Sequence, residues 1–235
     1  MIPHKIHYCW FGRNPLPVST QNFILAWKKK LPDYEIVEWN EDNFDVNGIL
    51  FTKEAYALKK YAFVSDYVRA YVLFHEGGIY LDTDVEVLRS FSPFLEDRAF
   101  LGFEMQGKQV ATAVIGCHKG EKWLLNILKY YESIPFIRFW GKLNSTPNPI
   151  LFNETLIAYG LENSDVEQYL NNGIHILPSE IFSAKDYLSK EYYICSKTIC
   201  VHHFSESWVS HSNSFFSKAF RMIKNIIVKL YIKFN

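Results

Sequence analysis

The sequence predicts an α/β domain built on a mainly parallel sheet, and three observations carry that expectation. Short apolar stretches alternate with helical ones in the order β-α-β, then α-β, through Leu81, the succession that lays strands side by side in one direction. Ile79, Tyr80 and Leu81 form an uninterrupted apolar run, as in a strand covered on both faces. Asp82 and Asp84 follow at its carboxyl end, the end where open α/β sheets bind ligands.

The elements are justified in turn. Residues 5–10 alternate and are rich in apolar and aromatic side chains, a first strand that stops at Gly12, with Pro15 and Pro17 in the loop beyond. Trp10 at its end is placed either to stack on a ligand's base or to pack in the core. Residues 19–30 read as a helix with Ser19 or Thr20 as N-cap and Lys28, Lys29 and Lys30 complementing its dipole. Residues 34–39 are a second strand and 40–47 an acidic, turn-rich loop. Between Glu54 and Glu76 there is no Pro or Gly, and Tyr61, Val64, Val68, Tyr71 and Val72 fall on one helical face. Asp66 and Arg69, three apart, project from one side of that helix. Gly77 and Gly78 end it. Later strands are expected at 85–88, 100–104, 110–116, 174–177 and 198–203, with a helix at 121–132 and a loop at 142–149.

Composition narrows the function. The 235 residues carry 25 basic and 25 acidic side chains, so no global field favours nucleic acid. Hydrophobic content of 49% with 17% aromatic residues indicates a globular core. The N-terminus lacks the charged and apolar regions of a secretory signal. Cys9, Cys117, Cys195 and Cys200 show no zinc-ligand spacing and read as small residues in a reducing compartment. One domain is expected over 1–212. Residues 213–235 differ: Phe216, Phe220, Ile223, Ile227, Leu230, Tyr231 and Phe234 share one helical face, with Lys218, Arg221, Lys224, Lys229 and Lys233 over the other. That is the pattern of a helix lying in an anionic membrane surface. The expected location is cytoplasmic, peripheral at the inner face of the cell membrane.

Two carboxylates at i and i+2 on a strand repel each other unless a divalent cation relieves them, and hard oxygen donors suit Mg²⁺ or Mn²⁺. A histidine on a late strand would complete such a site. Successive strand residues face opposite sides, so only one of His202 and His203 can serve; His203 is favoured here, with Glu206 as a weaker candidate.

Four blocks together resemble a known family: Ser65-Asp66-x-x-Arg69, Gly77-Gly78-Ile79-Tyr80-x-Asp82-x-Asp84, an N-terminal Ile2-Pro3-x-x-Ile6-His7-x-x-Trp10, and His202-His203-x-x-x-Ser207-Trp208. They look like the DXD-containing sugar transferases of glycosyltransferase family 32. The resemblance implies a GT-A fold with a Rossmann-like sheet. It also implies Mn²⁺-dependent, retaining transfer of a hexose from a nucleoside-diphosphate sugar, with a UDP-sugar favoured. The acceptor would be a glycan or a lipid-linked molecule in bacterial surface polysaccharide or capsule synthesis. On that footing Asp82, Asp84 and His203 hold metal, while Asp66, Arg69, Tyr80 and Asp82 meet the donor. Trp10 stacks on its base and Trp208 closes over its phosphates. No nucleophile or general base stands out, Glu154 being a weak candidate. One alternative is a non-catalytic, membrane-associated binding protein on a transferase fold. Another is a haloacid-dehalogenase-like phosphatase, against which Glu86 and the motif's distance from the N-terminus both count.

Overall fold

A computed structural model describes residues 1–104 and 107–205. The chain opens with strand β1 (Lys5–Cys9), helix α1 (Val18–Lys30) and β2 (Glu35–Trp39), followed by α2 (Leu50–Ala57), α3 (Tyr61–Glu76) and β3 (Gly78–Leu81). Next come β4 (Val85–Val87), β5 (Ala99–Glu104), β6 (Gln109–Cys117), α4 (Lys122–Glu132) and α5 (Asn148–Ile157). The described part ends with β7 (Gln168–Tyr169), β8 (Ile174–Leu177), α6 (Ser179–Phe182) and β9 (Cys200–His202).

The main sheet has the order β2-β1-β3-β6-β5-β8-β7. Five strands share one direction, while β6 in the middle and β7 at the edge run against them. The expected mainly parallel sheet is therefore present, with a central reversal. β4 leaves that sheet and, among the described residues, pairs only with β9, antiparallel, so the predicted continuation of the strand through residue 88 is a separate small ribbon.

β3 is apolar throughout because both its faces are buried. Ile79 and Leu81 enter the layer that holds Trp27, Phe91 and Phe182, while Tyr80 enters the layer of Val68, Leu73, Trp123 and Phe152. Gly77 and Gly78 have φ of +70° and +98°, and a Cβ on them would come within 2.7 Å of the Lys119 nitrogen and 2.6 Å of the Lys5 carbonyl oxygen. Only glycine meets both conditions.

The long helix expected to run from Glu54 is broken. Lys59 takes φ +57°, its amide donates to the Tyr56 carbonyl and the Lys60 amide to the Ala55 carbonyl, which is a Schellman cap built without glycine. α1 also starts one residue earlier than expected, at Val18 after Pro17, and no side chain caps it. Its Trp27 indole donates to the Val85 carbonyl at 2.9 Å, which pins the segment just after the aspartates.

His7 joins three elements beneath the sheet's first strands. The Trp39 indole donates to His7 Nδ1 at 3.0 Å, so Nδ1 is the acceptor and Nε2 carries the proton, donated to the Gly77 carbonyl at 2.9 Å. Burial pushes the His7 pKa down, against the pull of the Gly77 carbonyl.

Candidate functional site

Asp66 and Arg69 lie one turn apart on α3, and both are buried. Arg69 Nη2 donates to Asp66 Oδ1 at 3.0 Å, and Nη1 to the Thr112 carbonyl on β6 at 2.6 Å. Nη2 also stands 3.3 Å from Asp82 Oδ1. The guanidinium lies over the Tyr80 ring, 4.7 Å from its centre, and the Tyr80 hydroxyl donates to Asp82 Oδ1 at 3.0 Å. The helix thus reaches across to the strand end and fixes one of its two carboxylates. Burial pushes the Asp66 carboxyl up to about 6; Arg69 opposes that rise and Asp82 adds to it.

The β4–β9 ribbon brings in the other half. His202 sits opposite Val85, its Nε2 3.3 Å from Asp84 Oδ1. The Ser205 amide donates to Asp84 Oδ2 at 2.7 Å. Burial alone would raise the Asp84 pKa, yet His202 and the Ser205 amide hold it down at about 2. Asp82, Asp84 and His202 each offer one ligand atom, all within 4.8 Å of one another. Two oxygen donors, one of them firmly ionised, and an imidazole fit a divalent cation of the Mn²⁺ or Mg²⁺ kind.

This corrects the favoured third ligand. His203 points the other way: its Nε2 meets Glu86 Oε2 at 2.9 Å and its ring stacks on Phe23 with centroids 5.1 Å apart. The alternation of strand side chains decides the matter, since β9 pairs in a register that turns His202 toward Asp84. Tyr80 is also placed differently from a donor contact. It is 1% exposed and acts on Asp82 from beneath.

Trp10 is half-buried at the end of β1, with its indole donating to the Asn14 carbonyl at 2.7 Å. Glu154 is exposed on α5, while its buried neighbour Asn153 accepts from the Val110 amide. Glu206, Trp208 and the 213–235 segment lie outside the described residues.

Two further groups belong to the site and had no signature in the sequence. Glu104, the last residue of β5, is buried, accepts from Gln109 Nε2 at 2.7 Å, and is pushed up in pKa by that burial, with His202 the chief opposing charge. Asn148, opening α5, donates to the Asp66 carbonyl at 3.4 Å and accepts from the Tyr131 hydroxyl. Both become visible only when β5 is seen across β6 from β3, and the start of α5 is seen reaching α3 through Asn148.

Comparison with known proteins bears on the motif and the fold. Residues 17–101 match the family described as the glycosyltransferase sugar-binding region containing the DXD motif. Two Schizosaccharomyces pombe proteins are similar. Inositol phosphoceramide mannosyltransferase 3 is 29% identical over 144 residues, covering 57% of this chain and 38% of that protein. Inositol phosphoceramide mannosyltransferase 1 is 24% identical over 111 residues, covering 43% and 33%. The chain therefore matches only about a third of either relative's length. Among solved structures, the PaToxG glycosyltransferase superposes with a TM-score of 0.51 at 18% identity, over 67% of this chain and 69% of that one. The shared fold is GT-A.

Proposed function

We propose that this chain is a DXD-containing glycosyltransferase of the family 32 type and that it transfers a hexose from a nucleoside-diphosphate sugar to a glycan or lipid-linked acceptor. The observation that carries the reading is the convergence of Asp82, Asp84 and His202 at the end of β3, beside a buried Arg69 held by Asp66. A divalent cation on those three residues supplies, when bound, neutralisation of the charge that develops on the departing diphosphate.

The chain's own residues do the rest. Arg69, clamped by Asp66 and the Thr112 carbonyl, fixes Asp82 and lends positive charge to the donor's sugar and diphosphate. Asp66 meets sugar hydroxyls, Asp82 also reaches the ribose, and Trp10, at the end of β1, stacks on the base. Trp208 is assigned to the donor's phosphates by the motif resemblance alone. Mn²⁺ is the first choice of metal, a UDP-sugar the first choice of donor, and retention of configuration the expected stereochemistry. The relatives' names, mannosyl transfer on inositol phosphoceramide, support a hexose and a lipid-borne acceptor. Those relatives are fungal, so a role in bacterial surface polysaccharide rests on the motif resemblance alone. A peripheral place at the inner membrane face rests on the basic, amphipathic pattern of residues 213–235.

The test is nucleotide release from a panel of UDP-, GDP- and CDP-sugars with Mn²⁺, with and without chelator, in the intact chain and in Asp84→Asn. Slow hydrolysis restricted to one nucleotide, and abolished by chelator and by the substitution, is expected. Absence of both turnover and metal-dependent donor binding would refute the transferase reading.

A further inference from the structure

The segment between α4 and α5 forms a hairpin whose tip is unlike the rest of the surface. Its base is firmly built. Phe136 is fully buried against Phe51 and Phe63. Ile137 pairs with Leu143, and the Ile137 amide donates to Glu54 at 2.8 Å. The Arg138 amide donates to the Lys142 carbonyl and the Asn144 amide to the Phe136 carbonyl, both at 2.7 Å. Arg138 Nη2 donates to Asn144 Oδ1 at 2.7 Å.

On this base stand Phe139 and Trp140, 84% and 93% exposed, packed edge to face with ring centres 5.0 Å apart. Trp140 holds a left-handed conformation at φ +66°, followed by Gly141 at +74°. For a bulky side chain that backbone is strained, and here the strain serves to turn the indole outward. A monomeric surface does not ordinarily present two large aromatic groups side by side on a braced tip.

We propose that this hairpin seats in an anionic lipid surface, with Phe139 and Trp140 entering the headgroup layer and Arg138 and Lys142 meeting lipid phosphates. Charge is the observation that selects this occupant. Between Glu132 and Glu154 there is no acidic residue, and the charged residues flanking the aromatic pair, Arg138 and Lys142, are both cations. Tryptophan is at home at the boundary between water and hydrocarbon. Basic residues beside it are drawn to anionic lipid. A sugar-binding platform would set free carboxylates or amides around its ring to take hydroxyl hydrogen bonds; here the nearest such groups, Asn144 and Glu54, accept from Arg138 and from the Ile137 amide. The hairpin's outgoing strand leads to Asn148 and so to Asp66, which sets this contact close in sequence to the site. The proposal does not depend on the transferase reading, since its test measures lipid contact alone.

The experiment uses the full chain, vesicles of neutral or anionic lipid, and lipids brominated on their acyl chains. Tryptophan quenching by brominated anionic vesicles is compared between the wild type and Trp140→Phe, so that the other tryptophans cancel. A quenched component present in the wild type and missing from the variant is expected. Phe139→Ser with Trp140→Ser should weaken anionic-vesicle binding roughly tenfold or more, and Lys142→Gln about fivefold. Neither exposed aromatic supports the fold, so these variants should keep the wild-type melting temperature. Vesicle binding with identical quenching in wild type and Trp140→Phe would overturn the proposal, as would failure to bind vesicles at all. Dimerisation abolished by the double serine variant without any lipid effect would assign the tip to a second copy, and an indole response to oligosaccharide but not to vesicles would assign it to the acceptor. Either result would also overturn it.

Discussion

Replacing Arg69 by methionine keeps a side chain of similar length and removes the charge that Asp66, Asp82 and the Thr112 carbonyl all share. Breaking a buried ion network by deleting one partner costs about 3–5 kcal/mol. Asp66 limits that cost. Burial has already moved its pKa from 3.8 to about 6, which withholds roughly 3 kcal/mol from the folded state at neutral pH. Arg69 restrains that rise, so in Arg69→Met the carboxyl is lifted further and takes up a proton at a higher pH. A carboxyl whose folded pKa exceeds its unfolded one binds more protons when folded. Its penalty is therefore absent below 3.8 and grows as pH rises toward and through the folded value. The destabilisation by Arg69→Met should be about 3–5 kcal/mol at pH 7.5 and smaller by at least about 1 kcal/mol at pH 5.5. Urea unfolding followed by fluorescence at both pH values measures it. Adding Asp66→Asn to Arg69→Met should recover part of the loss at pH 7.5 and flatten the pH dependence. An equal or larger loss at pH 5.5 would refute the assignment of Asp66 as the strained partner.

Three further outcomes are expected. His202→Ala should weaken Mn²⁺ binding by about tenfold or more, whereas His203→Ala should leave it nearly unchanged; calorimetric titration of the metal alone separates them. His7 has a depressed folded pKa and its Nδ1 must stay unprotonated to accept from Trp39, so its contribution is lost as pH falls below about 6.5. The stability difference between the wild type and His7→Gln should therefore shrink or reverse on acidification, as read by unfolding midpoints from pH 7.5 to 5. Gly116→Ala would place a Cβ 2.1 Å from Phe100, whose ring is fully buried among Phe91, Phe94 and Phe182. Overpacking of about 1–3 kcal/mol follows, and the melting temperature should fall by roughly 2–4 °C for each kcal/mol.

What could be read in advance was the part of the molecule that is local in sequence. The α3 face, the Gly77-Gly78 stop, the β3 run and the two aspartates lie within one short stretch, and their periodicity and punctuation report their structure directly. The break between α2 and α3 has no local signal, because Lys59 takes the left-handed cap that glycine normally marks. The choice between His202 and His203 turned on the register of β9 against β4, which no local pattern encodes. Thr112 contributes a backbone carbonyl, for which any residue would do, so it leaves no trace in the sequence. Glu104 and Asn148 enter the site by packing, and the first closes a strand that is otherwise apolar or glycine and so carries no local sign of a site.

The β4–β9 ribbon makes the proposed metal cluster depend on the order in which the polypeptide is made. Asp82 and Asp84 emerge from the ribosome early, with the helix and strand that hold them. His202 comes much later, and Ser205 lies 121 positions after Asp84. A partly synthesised chain therefore carries an acidic pair without its imidazole, and closure waits for a long-range pairing of the slow kind. A cation that prefers the closed cluster stabilises that final pairing by mass action. Metal supply would then influence how quickly newly made molecules mature, and protease attack near residue 200 would rise when the ion is withheld.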